Sequence, residues 1–124
     1  MKPKVAIHSI TGCAGCQLTI YFLQDNLLDL LSKIDLVAAP MIQSKNSKGP
    51  YDICFLEGSI SSKEDLEKAK EYREKSKILI AFGTCAAFGN MQSSLKYHPK
   101  KNEIPKKIYK HIETLNINNT QKHM

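Results

Sequence analysis

Four short apolar runs, spaced by two longer helical patterns, set the reading of this chain. Residues 5–10 are rich in Val and Ile and read as a first strand. Residues 17–31 follow with Ile20, Leu23, Leu27, Leu30 and Leu31 close to a 3.6-residue period, which predicts one long helix able to cover a sheet. Tyr21, Phe22 and Leu28 fall off that stripe, so this helix is expected to offer a second apolar face to a partner chain. Residues 34–41 read as a second strand, stopped near Pro40, and residues 44–50 as a polar loop. Residues 52–57 form a third run, apolar enough for a strand buried on both faces.

Gly58 ends that third strand. Ser61 and Ser62 each stand three residues before an acid, Glu64 and Asp65, so both resemble the first residue of a capping box. The helix they open is expected over residues 63–75, with Glu64/Lys68 and Glu71/Lys75 marking its solvated face. Residues 78–82 are a fourth strand, followed by Gly83-Thr84-Cys85. Strands alternating with helices predict an α/β fold of three layers with a parallel sheet. The expected strand order is 2-1-3-4, and the expected domain spans residues 1–94. Residues 95–124 read as a basic, weakly structured tail, with a short basic helix over 104–115.

Composition narrows the function classes. The 124 residues carry a net charge of +6, but residues 1–95 hold 11 basic and 10 acidic groups, while residues 96–124 hold 7 lysines and 2 glutamates. The body is therefore near neutral, and no basic face suggests nucleic acid. No apolar run is long enough to span a bilayer, and no secretory leader precedes the first strand. A cytoplasmic protein is expected, and its four cysteines then point to metal or redox chemistry.

The chemistry centres on Cys13-Ala14-Gly15-Cys16, at the turn between the first strand and the first helix. Helix-start N–H groups are expected to favour thiolate there. In an open parallel sheet, ligands bind beyond the carboxyl ends of the strands. Cys13 and Cys16 follow strand one and Cys85 follows strand four, so the three are expected to face one site across the end of strand three. Gly58 would leave that end unobstructed. Cys54, mid-strand, is expected in the core. Three thiolates can serve an iron–sulfur cluster that needs a fourth ligand, or zinc together with a histidine such as His98. A Cys13–Cys16 redox disulfide is a third reading, which leaves Cys85 unused. His8 reads as a strand side chain, and His98, His111 and His123 as solvated residues of the tail.

Three motifs resemble the small subunit of cytoplasmic nickel–iron hydrogenases: Gly12-Cys13-Ala14-Gly15-Cys16-Gln17, Tyr51-Asp52 with Glu57-Gly58-Ser59-Ile60, and Phe82-Gly83-Thr84-Cys85-Ala86-Ala87-Phe88-Gly89. The likeness covers roughly residues 4–90. It is strongest to sulfhydrogenase delta and non-F420-reducing hydrogenase small subunits, in the superfamily of the 20 kDa subunit of respiratory complex I. It implies a flavodoxin-like domain whose proximal 4Fe-4S cluster exchanges electrons with a separate nickel–iron large subunit. Further iron–sulfur or flavin subunits would relay those electrons. By motif match, Cys13, Cys16 and Cys85 are three of the cluster ligands and Glu57 is an acid beside the site. The family's fourth ligand lies in a downstream Gly-Cys-Pro motif, and no cysteine follows Cys85 here. A truncated member with an incomplete cluster is therefore expected. A stand-alone thiol-redox or zinc-binding domain, or a cofactor-free remnant, is the alternative.

Overall fold

The computed structural model describes residues 1–90. The domain boundary at 94/95, the helix over 104–115, the basic tail and three of the histidines (His98, His111 and His123) lie outside the described residues. The elements run β1 (Lys4–Ser9), α1 (Gly15–Tyr21), α2 (Asp25–Lys33), β2 (Asp35–Ala38), β3 (Tyr51–Glu57), α3 (Lys63–Lys75), β4 (Ser76–Phe82) and α4 (Thr84–Phe88). The four strands form one parallel sheet in the order β2-β1-β3-β4, as the sequence pattern predicts.

Alternation along the strands sends successive side chains to opposite faces. Ala6, Cys54 and Leu79 lie side by side in register, and they face α3. There Ala6, Ala38, Tyr51 and Cys54 form one buried cluster, and Leu56, Ile60 and Ala69 form another. Tyr72 of α3 touches both. Cys54 and Leu56 are fully buried.

The opposite face carries Val5, Ile7, Ile53, Phe55 and Phe82, and α1 and α2 lie over it. An apolar cavity of about 300 Å³ remains between them, bordered by Ile20, Leu23, Leu27, Leu30 and Leu31 among others. The stripe read from the sequence thus faces the sheet as expected. The single helix over 17–31 does not form, however. It breaks between Tyr21 and Asp25, where Gln24 takes φ 50° and ψ −123°. The break lets α2 begin afresh with Asp25 in its first turn and end with Lys33 in its last, both favourable to the helix dipole. Off the stripe, Phe22 and Leu28 are exposed.

α3 starts where the pattern places it, and Ser62 is the residue that caps it. The Ser62 hydroxyl accepts from the Asp65 N–H at 3.0 Å, and the Asp65 carboxylate accepts from the Ser62 N–H at 3.1 Å. β2 is shorter than expected, because it ends before Pro40.

Candidate functional site

The site lies beyond the carboxyl ends of β1, β3 and β4. Three links fix the loop after β1. The Ile10 N–H donates to the Glu57 carbonyl at 3.0 Å, and the Ser59 N–H donates to the Thr11 carbonyl at 2.7 Å. The Thr11 hydroxyl donates to the Asp65 carboxylate at 2.7 Å. The same Asp65 oxygen also accepts the N–H groups of Ser61 and Ser62, so one buried carboxylate ties the cysteine loop to the start of α3.

Gly58 is required by this arrangement for a reason the sequence did not suggest. At φ 96°, a Cβ on Gly58 would stand 2.7 Å from the Thr11 carbonyl oxygen. Its bareness lets two backbones approach. The loop then turns through Ala14, a non-glycine residue in the left-handed region at φ 64°, a conformation that costs about 1–2 kcal/mol. α1 follows with Cys16 as its second residue.

Cys13 is exposed, and Cys16 and Cys85 are half-buried. Cys85 sits in the first turn of α4, where the Asn90 amide donates to its Sγ at 3.7 Å. The β4–α4 turn brings Gly83 against Cys16: a Cβ on Gly83 would lie 2.3 Å from the Cys16 Sγ. Gly83 also takes φ 88°, so no other residue fits there without strain. Cys16 feels the charges of both Cys13 and Cys85, so the three thiols share one electrostatic neighbourhood. Among the described residues, no three of His, Cys, Asp and Glu are grouped to hold a single metal ion.

The expected push toward thiolate is reversed at Cys16. Burial, then Glu57, Cys13 and Cys85, hold its pKa above the usual thiol value. The Cys16 N–H donates to the Glu57 Oε1 at 3.3 Å, which brings that carboxylate against the start of α1. Glu57 is 2% exposed, and its Oε2 is buried with no hydrogen-bond partner among the described residues. Tyr21 is raised too, by burial and then by Glu57.

The other candidate residues fall where the sequence places them. Cys54 is buried in the core, and its thiol is pushed up to about 11 by burial. His8 is a buried strand residue, stacked on Tyr72 at 4.2 Å with its Nε2 3.3 Å from the Tyr51 hydroxyl. Gly83, Thr11 and Asp65 shape the site without standing among its candidates in the sequence. Only Gly83, immediately before Thr84-Cys85, carries a signal of its own.

Comparison with known proteins gives this arrangement a context. A family described as NADH ubiquinone oxidoreductase, 20 Kd subunit, matches residues 13–120. Sulfhydrogenase 2 subunit delta of Pyrococcus furiosus is 38% identical over 93 residues, covering 75% of this chain and 39% of that one. A subunit of the F420-non-reducing hydrogenase vhu of Methanocaldococcus jannaschii is 37% identical over 114 residues, covering 91% and 39%. NAD-reducing hydrogenase HoxS subunit delta of Cupriavidus necator is 37% identical over 90 residues, covering 73% and 43%. The chain thus spans about two fifths of the length of these curated relatives. A crystal structure of an NAD+-reducing NiFe hydrogenase in the H2-reduced state shares the fold. Its TM-score is 0.78 at 23% identity, covering 100% of this chain and 67% of that chain. With the family match spanning most of its residues, the chain belongs to the NADH ubiquinone oxidoreductase 20 Kd subunit family.

Proposed function

We propose that this chain is the electron-transfer small subunit of a cytoplasmic nickel–iron hydrogenase. In this reading Cys13, Cys16 and Cys85 are ligands of its proximal 4Fe-4S cluster. The observation that carries it is the meeting of two cysteine loops around Cys16, with Gly83 bare where any side chain would strike the sulfur. The names of the relatives, all hydrogenase subunits, supply the context.

The donor set fits the group. Iron–sulfur clusters are held by cysteine thiolates, and each iron takes its own donor, so the ligands surround a cluster instead of meeting at one ion. When bound, such a cluster supplies one-electron transfer. The chain's own residues do the rest. Asp65 and Thr11 anchor the loop that carries Cys13 and Cys16. The Glu57 carboxylate holds the Cys16 backbone. The hydrogen chemistry belongs to a separate large subunit, and further iron–sulfur or flavin subunits carry the electrons onward.

A Cys13–Cys16 redox disulfide would leave Cys85 and the bare Gly83 beside the Cys16 sulfur without a role. The test is anaerobic reconstitution with iron and sulfide, read by iron count, visible absorption and electron paramagnetic resonance. Serine at Cys13, Cys16 or Cys85, or alanine at Gly83, should abolish iron uptake. Serine at Cys54 should not. Iron uptake indifferent to the three cysteines, selective zinc binding, or a reversible Cys13–Cys16 disulfide without iron would overturn the assignment. A folded chain that takes up no iron would identify a cofactor-free remnant.

A further inference from the structure

Cover over the sheet fails along a single row. Val5 of β1, Ile53 of β3 and Ile78 of β4 stand in register, on the face that carries α1 and α2. Val5 is 3% exposed, Ile53 is half-buried, and Ile78 is 55% exposed. Ile80 and Phe82 share that face of β4 and are only half-buried. Strands of a parallel sheet are normally covered on both faces. On its other face β4 is covered, because Leu79 packs into the clusters under α3. A helix is about 10 Å wide and strands lie about 4.8 Å apart, so one helix covers about two strands. α1 and α2 connect β1 to β2, which leaves β4, at the far edge of the sheet, room for one more helix.

Beyond the described residues the chain carries a segment with the matching pattern. Ile104, Ile108, Ile112 and Leu115 recur at helical spacing, with Lys106, Lys110 and Glu113 on the opposite side. Asn102 suits the N-cap, Glu103 and Pro105 suit the first turn, and Asn116 suits the left-handed position after the last. A helix over residues 104–115 would run about 18 Å, and the seven residues of β4 about 23 Å. A helix this short is marginal alone in water and needs a surface for its apolar side. Residues 91–103 can reach up to roughly 40 Å when extended, ample for a return from α4 to β4. The tether sets an effective concentration of the order of millimolar, which favours this segment over a second chain. The family match also runs on through it, to residue 120. We propose that residues 104–115 form a helix that docks on the bare face of β4, over Ile78, Ile80 and Phe82. This goes beyond the cluster reading and does not depend on it.

The experiment uses the 124-residue chain under reducing conditions. Hydrogen exchange is followed across residues 104–115, and nuclear Overhauser contacts are sought between isoleucine methyl groups. In wild type, exchange in the segment should be at least about tenfold slower than in a free peptide. Methyl contacts should join Ile78 or Ile80 to Ile108 or Ile112. Ile78→Asp on the sheet and Ile112→Asp on the segment should each abolish the slowing, while Lys110→Gln should keep it. If Ile78→Asp fails to fold, the wild-type methyl contacts and Ile112→Asp still decide. Exchange at free-peptide rates in wild type would overturn the proposal. So would slowing that survives Ile78→Asp, because the helix would then dock elsewhere. Methyl contacts found only between labelled and unlabelled chains would also overturn it, and would make a second copy the occupant.

Discussion

The two faces of the sheet are finished differently. Against α3, small and medium side chains close completely: Ala6, Ala38, Cys54 and Leu56 expose nothing. Against α1 and α2, larger side chains leave a cavity of about 300 Å³, and α2 has no buried residue at all. The α3 face is anchored by a full capping box, while α1 starts from a left-handed alanine with no side-chain cap. Close packing makes every methylene count, whereas an open cleft can relax around a change. Stability is therefore concentrated on the α3 side. The cysteine loop belongs to the looser side and borrows rigidity across the sheet through Thr11 and Asp65.

The sharpest way to break this contrast is a pair of truncations at neighbouring positions of β3. Leu56→Ala, on the closed face, should cost about 3 kcal/mol or more by urea denaturation. Phe55→Ala removes a larger side chain from the open face, yet should cost less than half as much. Equal losses would show that the two faces are packed alike. Next comes Asp65→Ala, which removes the cap and the tie to Thr11 together. It should cost about 2 kcal/mol and increase protease cleavage in the loop around Cys13, with Asp65→Asn recovering part of the loss.

Cys54→Ala should cost about 1 kcal/mol, because it opens only a small void on the closed face. The same burial should leave Cys54 the slowest of the four cysteines to react with a thiol reagent in the native state, and exposed Cys13 should react readily.

His8 tests the closed face by pH. Burial lowers its pKa, against an opposing pull from Glu71 and with a smaller push from Lys75. The unfolded chain therefore binds the proton more readily than the folded one. Stability from His8 is fully present above about pH 6.5 and declines as pH falls toward the lower folded value. The urea midpoint should slope downward below about pH 6.5, and His8→Phe should flatten that slope. The smallest effect belongs to the outer surface of the open side. Phe22→Ser and Leu28→Ser, at 72% and 74% exposure, should change stability by no more than about 0.5 kcal/mol.

Strand order was legible because each apolar run was short, bounded and followed by a helix or a turn. α3 was legible from Ser62 and Asp65, whose capping is local in sequence. The break before Asp25 was not, because the segment from Phe22 to Gln24 holds neither glycine nor proline, and the apolar stripe runs straight through it. The same limit applies at the site. Cysteine positions follow from strand ends, whereas the Cys16–Glu57 hydrogen bond joins residues 41 apart and the Thr11–Asp65 bond residues 54 apart. Such pairs exist only once the sheet has closed. The reversal at Cys16 escaped for that reason: the favourable helix start is local, and the opposing burial and carboxylate are not.

Parallel pairing also sets a timetable for synthesis. β1 leaves the ribosome first, but its partner on one side, β3, starts more than forty residues after β1 ends, and β4 follows only after α3. Pairings this distant form slowly, and strand edges stay bare meanwhile. Cys13 and Cys16 are therefore made well before Gly83 and Cys85 can come against them. Thiols left uncovered through that interval are open to oxidation. Slowing translation between β1 and β4 should lower the yield of correctly assembled protein more under air than without it.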